Sequence, residues 1–317
     1  MSPTILVTGA TGMVGRFVLP ALRQLGFRVR GQYSRCPGRC PDVNWRQMNF
    51  FESLDFSAMV AGCNAVVHLA AETTNVARMN RVNVDATREL VAAAKSAGVR
   101  YFGHASSIVV YGSPRRRTVN EATALLDLRS PVANQYTAEP YMREYARTKT
   151  LAEFIIREAQ PAFNTDLYRP TVIADLDRLL EAGSWKRLRK AYATYRRTQY
   201  IYAPDAAAAI AHLVARGLAT ERHHQKIEAF NICDQDCGTF RELLTVAHMT
   251  TGDPRYKVSA HVPVALDLMK HIVSCRWPAL RYPLGMVTFS NARLLGTGFN
   301  FPVGFKSALT HALSRRA

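Results

Sequence analysis

The chain has 317 residues, 48% apolar and 21% charged, which is the balance of a globular protein and excludes a disordered or fibrous one. Its 41 Lys and Arg outnumber 24 Asp and Glu, and the formal charge of +17 favours anionic partners: a phosphorylated cofactor, a nucleotide-linked substrate, nucleic acid or an acidic membrane surface. No run reaches the roughly 18 apolar residues of a membrane span, and the start MSPTILVTGATG lacks the basic n-region of a signal peptide, so a cytoplasmic protein is expected.

In chain order, TILVTGATGMVGRFVLPALRQLG reads as a short apolar strand, a glycine turn and a helix ending at Gly26. FRVRGQY predicts a second strand, NAVVHLAA a buried third, and RELVAAAKSAGVR a helix with Gly98 just past its end. YFGHASSIVVYGS predicts a fourth strand, EYARTKTLAEFIIREAQ a long helix stopped near Pro161, and NTDLYRPTVIA another strand. Apolar strands alternating with helices predict an α/β protein of Rossmann type, a doubly wound parallel sheet covered on both faces. After residue 175 the pattern loosens to a helix (DAAAAIAHLVARGLA), a strand (EAFNICD) and a helix capped near Thr239 (TFRELLTVAHMTTG). The expected layout is a nucleotide-binding domain over 1–174 and a smaller C-terminal substrate lobe over 175–317, with the strand and helix near 200–235 returning to the first domain.

Two cysteine pairs, Cys36/Cys40 and Cys233/Cys237, have C-x3-C spacing, while Cys63 and Cys275 stand alone. Neither pair carries the second pair or the histidines of a zinc site, so free thiols and no metal are expected. His223 and His224 lie in a polar stretch and read as a solvated loop. The basic clusters at 115–117 and 185–197 come without a zinc-finger, helix-turn-helix or RNA-recognition signature, so no nucleic-acid partner is expected.

The turn VTGATGMVGR has the chemistry of a dinucleotide site. Gly9 permits the tight turn, Gly12 admits a pyrophosphate to the backbone, and Gly15 lets helix and strand approach; Thr11, Met13 and Val14 complete the loop. The helix N-terminus behind it offers free N–H groups and partial positive charge. An NAD-preferring protein places an acid after the second strand, but GQYSRCPGR has none before Asp42. Ser34 and Arg35, with Arg39 nearby, suit a 2′-phosphate instead, which points to NADP with NAD as the alternative.

In YMREYARTKT, only Tyr145 has a lysine four residues on, Lys149; Tyr136 and Tyr141 do not. Residues four apart share a helix face. Hydride transfer at an alcohol or ketone carbon needs a matched proton transfer at oxygen. A free tyrosine, with a pKa of about 10, is too weak a base at neutral pH, and a nearby ammonium favours its phenolate.

In order along the chain, TGATGMVG, VVHLAA, RVNVDAT, SSIVVYG, YARTK, LYRPTVI, YIYAPDAAAAI and EAFNICDQDCGTFRELL resemble successive motifs of the extended short-chain dehydrogenase/reductases, the NAD(P)-dependent epimerase/dehydratase family. The resemblance covers nearly the whole length. It implies Tyr145 as general acid/base, Lys149 as its partner and ribose ligand, and Ser107 (with Ser106 the alternative) on the substrate oxygen. It further implies Asn83 as a supporting residue, Asn49 and Phe50 near adenine, with an amide where an aspartate is usual, and Leu69, Ala70 and Ala71 beside the cofactor. Tyr168 and Pro170 would line the nicotinamide end and Thr73 the substrate. Two departures are mild: Ala86 stands for a family glycine and Thr148 for a serine.

Family 4,6-dehydratases carry an Asp-Glu pair directly after the active serine or threonine, where this chain has Ile108 and Val109. The resemblance therefore implies ketone/alcohol redox, or the oxidation and rereduction of a 4-epimerase, on a small-molecule substrate. Arg196 and Arg197, with Arg187 and Arg189, lie where nucleotide-sugar relatives place a diphosphate-binding arginine, though the usual glycine-rich loop is missing. A non-catalytic NADP-binding regulatory or assembly protein is the third alternative. Family analogy implies a homodimer through the Tyr-x3-Lys helix.

Overall fold

The structure, a computed structural model, describes residues 2–129, 140–159, 163–220, 226–235, 238–258 and 282–315, together with 260, 262, 263, 265, 266 and 269. The elements in chain order are β1 (Thr4–Thr8), α1 (Gly15–Gln24), β2 (Arg28–Tyr33), β3 (Val43–Gln47), α2 (Ser57–Val60), β4 (Ala65–His68), α3 (Val76–Met79), α4 (Ala86–Ser96) and β5 (Tyr101–Ala105). Then come β6 (Thr118–Val119), α5 (Pro140–Glu158), β7 (Asn164–Pro170), β8 (Ile173–Ala174), α6 (Leu176–Leu180), α7 (Arg187–Ala193), β9 (Ile201–Tyr202), α8 (Ala203–Ala219), β10 (Ile227–Ile232), α9 (Phe240–Thr251) and β11 (Thr288–Phe289). Two compact units are formed: Met1–Val110, Glu139–Pro170 and Ala206–Phe230 make the first, and Tyr111–Ala138, Thr171–Asp205 and Asn231–Ala317 the second. Tyr111–Ala138 thus clusters with the second unit and not with the strands that flank it in sequence.

The first unit is built on a seven-stranded sheet in the order β10-β7-β5-β4-β1-β2-β3. The pairs β1–β2, β1–β4, β2–β3, β4–β5 and β5–β7 are all parallel. Strand order reverses between β1 and β4, and in such sheets ligands bind outside the carboxyl ends of the strands at that switch point. β4 is buried along its whole length, which is why it reads as a continuous apolar run. On one face Leu6, Val66, Phe102 and Leu167 pack with Leu90 and Val91 of α4 and Ile156 of α5. On the other face Tyr101 lies so close to Gly217 of α8 that a Cβ there would sit 2.2 Å from its ring.

Three elements differ from the sequence expectation. β3 was not expected: its side chains are mostly polar and partly exposed, as an edge strand allows. β5 ends at Ala105 and does not run on to Ser113. Ser106 N–H turns back to the His104 carbonyl (3.0 Å), and Ile108–Tyr111 forms a 3-10 turn whose apolar side chains only imitate a strand. The helix α5 starts at Pro140, at the position where proline's missing N–H costs nothing.

In the second unit, Leu180, Phe240, Leu244, Tyr256, Phe305, Leu309 and Leu313 form the core. α9 begins in a capping box, Thr239 and Glu242 each bonding the other's backbone, and ends at Gly252 with φ +68°.

Candidate active site

The turn after β1 is shaped by contacts that only glycine permits. Gly9 has φ +63°, and a Cβ on it would lie 2.7 Å from the Ala70 nitrogen at the end of β4. A Cβ on Gly15 would lie 2.3 Å from the Gly9 carbonyl oxygen, whereas one on Gly12 would meet only that oxygen, at 3.0 Å. The open side of Gly12 and the start of α1, which no side chain caps, make a bare backbone cradle for an anion that includes Thr11, Met13 and Val14. Sequence reasoning missed the residue that holds this turn, Gln32 of β2. Its Oε1 accepts Gly9 N–H (2.9 Å) while its Nε2 donates to the Met48 carbonyl (2.7 Å).

Ser34 and Arg35 follow β2 and are exposed. Asp42, the first acid after the strand, is bound to Arg23 at 2.6 Å. Asn49 makes a local turn, its carbonyl accepting from Phe51 N–H and its amide donating to Glu52. The Phe50 ring packs edge-on against Phe56 in the core and is buried.

Ser107, Tyr145 and Lys149 meet where β5 ends against α5. Tyr145 is hydrogen-bonded to Ser107; burial pushes the phenol up to about 12, and that bond pulls the other way. Lys149 is buried, its Nζ donating to the Ala105 carbonyl at 2.6 Å and lying 5.9 Å from the centre of the Tyr145 ring. Burial pulls its ammonium down to about 8, opposed by the carboxylate of Glu153. The ammonium therefore remains the dominant form at neutral pH.

Asn83 sits in a π-helical turn over Asn80–Asp85 and is buried. Its carboxamide grips the Glu72 backbone twice, accepting from N–H and donating to the carbonyl, both at 2.9 Å, and donates to Thr148 Oγ1 of α5 (3.1 Å). Burial raises the Glu72 carboxyl, but together the N–H groups of Thr73, Thr74 and Asn75 and the Thr74 hydroxyl, all donated to it, hold it below the usual range. Thr87 donates to the Asn83 carbonyl (2.8 Å), so it must accept at His68 Nε2 (3.1 Å), and His68 Nδ1 accepts from Thr8 (2.7 Å). This fixes His68 as the Nε2–H tautomer. Burial first, and Lys149 second, push it down to about 3, so it is a neutral strut between β1, β4 and the Asn83 turn. His104 lies beside it, ring centres 5.3 Å apart, with no hydrogen-bond partner on either ring nitrogen.

Two expected side chains, Tyr168 and Ser106, are turned away. Tyr168 does not line the site: β7 presents it to the face away from α5, fully buried, with its hydroxyl 2.5 Å from that of Tyr101. Ser106 does not face a substrate either, because its hydroxyl donates to Glu153 in the interior (2.5 Å). Leu69, Ala70, Ala71, Thr73 and Pro170 lie at strand ends or in loops of the first unit. Arg196 and Arg197 are exposed in the second. Tyr136, His223, His224, Cys237 and Cys275 lie outside the described residues. Among the described residues, Cys36, Cys40, Cys63 and Cys233 form no disulfide, no cluster of His, Cys, Asp and Glu is placed to hold a metal, and no helix is long and apolar enough to cross a membrane.

The profile of the NAD dependent epimerase/dehydratase family matches residues 5–233. A 4-hydroxy-2-methyl-3-oxo-4-farnesyl-3,4-dihydroquinoline-1-oxide ketoreductase from Stigmatella aurantiaca is 30% identical over 201 residues, 58% of this chain and 56% of that protein. The matches to three curated relatives span 64%, 39% and 56% of those proteins' own lengths. A solved short-chain dehydrogenase/reductase superfamily protein from Agrobacterium tumefaciens, with bound NAD, superposes with a TM-score of 0.74 at 26% identity, covering 99% of this chain and 97% of that one. MoeE5, in complex with UDP-glucuronic acid and NAD, shares the fold with a TM-score of 0.74 at 19% identity over 99% of each chain. The profile takes in the sheet, the glycine turn and the helix bearing Tyr145 and Lys149, and on that match the chain belongs to the NAD-dependent epimerase/dehydratase family, the extended short-chain dehydrogenase/reductases.

Proposed function

We propose that the chain is an NADP(H)-dependent oxidoreductase that transfers hydride at a secondary alcohol or ketone carbon. The observation that carries this reading is the meeting of Ser107, Tyr145 and the buried Lys149 at the end of β5. When bound, the nicotinamide supplies or accepts the hydride. Ser107 Oγ and the Tyr145 phenol can hold one substrate oxygen between them. With its pKa near 12, Tyr145 enters protonated, the form that ketone reduction requires. In the oxidative direction the phenolate is needed, and the Lys149 ammonium favours it. One Lys149 N–H is fixed on Ala105, leaving donors for a ribose hydroxyl.

The bare Gly9–Gly15 cradle fits a pyrophosphate, and the exposed Ser34 and Arg35 would hold a 2′-phosphate after a strand whose next acid in sequence, Asp42, is tied to Arg23. Similarity to a named ketoreductase supports the reductive reading. Ile108 and Val109 offer no acid or base, so this reading does not extend to water elimination. Titration with NADPH and NADH, followed by their fluorescence, tests the proposal: NADPH should bind more tightly, and failure of both to bind defeats it.

A nucleotide-sugar 4-epimerase or 4-ketoreductase is the second reading, favoured by the six cations and no acid between residues 186 and 197. It predicts thermal stabilisation by UDP- or dTDP-sugars. A melting temperature unchanged across a nucleotide panel rules it out.

A further inference from the structure

We infer that Glu153 is a positioning residue of this site, the third rung of a stitch between α5 and the end of β5 and the fixed negative charge that serves Lys149. The inference rests on the reading of Tyr145 and Lys149 just given. Tyr145, Lys149 and Glu153 follow one another at four-residue intervals and so form one stripe of the helix. Each engages one of three consecutive residues at the strand end: Tyr145 bonds Ser107, Lys149 Nζ donates to the Ala105 carbonyl at 2.6 Å, and Glu153 Oε1 accepts from Ser106 at 2.5 Å. With the Ser106 hydroxyl held inward, its neighbour Ser107 is left to face Tyr145.

Glu153 is itself held from the sheet. Arg169 of β7 donates to both carboxylate oxygens, Nε to Oε1 at 2.8 Å and Nη2 to Oε2 at 2.6 Å, and both side chains are buried. The remaining charges are those of Arg157, one turn further on with Nη2 3.9 Å from Oε2, and Lys149 itself. A buried ion pair is a poor stability device compared with apolar packing of the same volume, whereas its fixed geometry can be used to place neighbours. The other titratable groups around Lys149 are Tyr145, His68 of β4 and His104 of β5. Burial keeps both histidines neutral and the phenol protonated, so none of the three can balance the ammonium. Glu153 does.

The test follows the affinity for NADPH by its fluorescence from about pH 6 to about pH 10, the span over which a buried lysine releases its proton. In the wild type, affinity falls as the ammonium is lost, with a midpoint near the Lys149 value of about 8. Glu153→Gln should lower that midpoint by about one pH unit while leaving the acid-side affinity nearly intact. Glu153→Asp, which keeps the charge, should restore it. Because Glu153→Gln takes from Arg169 its carboxylate partner, Glu153→Gln/Arg169→Gln removes both charges together and should show a smaller but still lowered midpoint in a folded protein, since Glu153 is the charge that acts on Lys149. A midpoint unmoved in the double variant, or an affinity lost equally at every pH, overturns the inference and leaves Glu153 a purely structural residue. Lys149→Met separates the two readings: if it binds NADPH as the wild type does across the range, the role given to Lys149 fails, whatever Glu153 does.

Discussion

Gly15→Ala and Gly12→Ala should separate the two demands on the turn, close packing and access to an anion. A methyl group on Gly15 would lie 2.3 Å from the Gly9 oxygen and 2.7 Å from the Ala10 oxygen. Both are backbone atoms, so no side-chain rotation relieves the contact. Restoring carbon–oxygen separations near 3.3 Å requires the turn to open by about 1 Å. Overpacking on that scale costs about 2 kcal/mol, or roughly 5 °C in melting temperature. The same opening moves the N–H groups of the cradle, and a 1 Å misplacement should weaken dinucleotide binding about 10–100-fold. On Gly12 the methyl meets one oxygen at 3.0 Å and otherwise faces open space. Stability should then change by less than about 1 kcal/mol, while the group blocks the approach of the pyrophosphate and costs at least as much affinity. Thermal melts and NADPH and NADH titrations measure both quantities. A Gly15→Ala protein that melts and binds like the wild type refutes the packing argument, and a Gly12→Ala protein that loses stability but not affinity refutes the cradle.

Arg35→Glu should reverse the cofactor preference, lowering the ratio of NADPH to NADH affinity by about tenfold or more, since a carboxylate repels the 2′-phosphate and can accept from the ribose hydroxyls; an unchanged ratio removes Arg35 from that role. Asp166→Asn tests the buried pair of tyrosines behind the sheet. Burial raises the Asp166 carboxyl from 3.8 to about 7, and it accepts from Tyr101 at 2.9 Å. Between those values the folded state holds a proton that the unfolded state has released, so the acid stabilises the fold less and less as pH rises towards 7. The asparagine variant should therefore be more stable than the wild type at pH 8 by about 4 kcal/mol and little different near pH 4, as read by thermal melts. Equal differences at both pH values contradict this.

Much of this architecture could be read from residue patterns, and the failures have physical causes. Gly9, Gly12 and Gly15 after an apolar strand announce a backbone turn, and the four-residue spacing of Tyr145 and Lys149 announces a shared helix face. β3 escaped because an edge strand covered on one side needs no apolar run. The end of β5 escaped because Ile108–Tyr111 are buried and apolar in a 3-10 turn, as they would be in a strand. Tyr168 was misplaced because alternation along a strand does not say which face carries α5. Gln32 and the Glu153–Arg169 pair depend on contacts between segments far apart in the chain, which local periodicity does not record.

Whether Tyr145 moves the proton at the reacting oxygen is decided by the turnover of Tyr145→Phe against the wild type, with NADPH and NADH over one panel of ketones and nucleotide sugars. The variant should lose about 10²–10⁴-fold in turnover with dinucleotide affinity kept within about threefold, because only the proton at the reacting oxygen is lost. Turnover in the variant equal to that of the wild type would contradict that role of Tyr145.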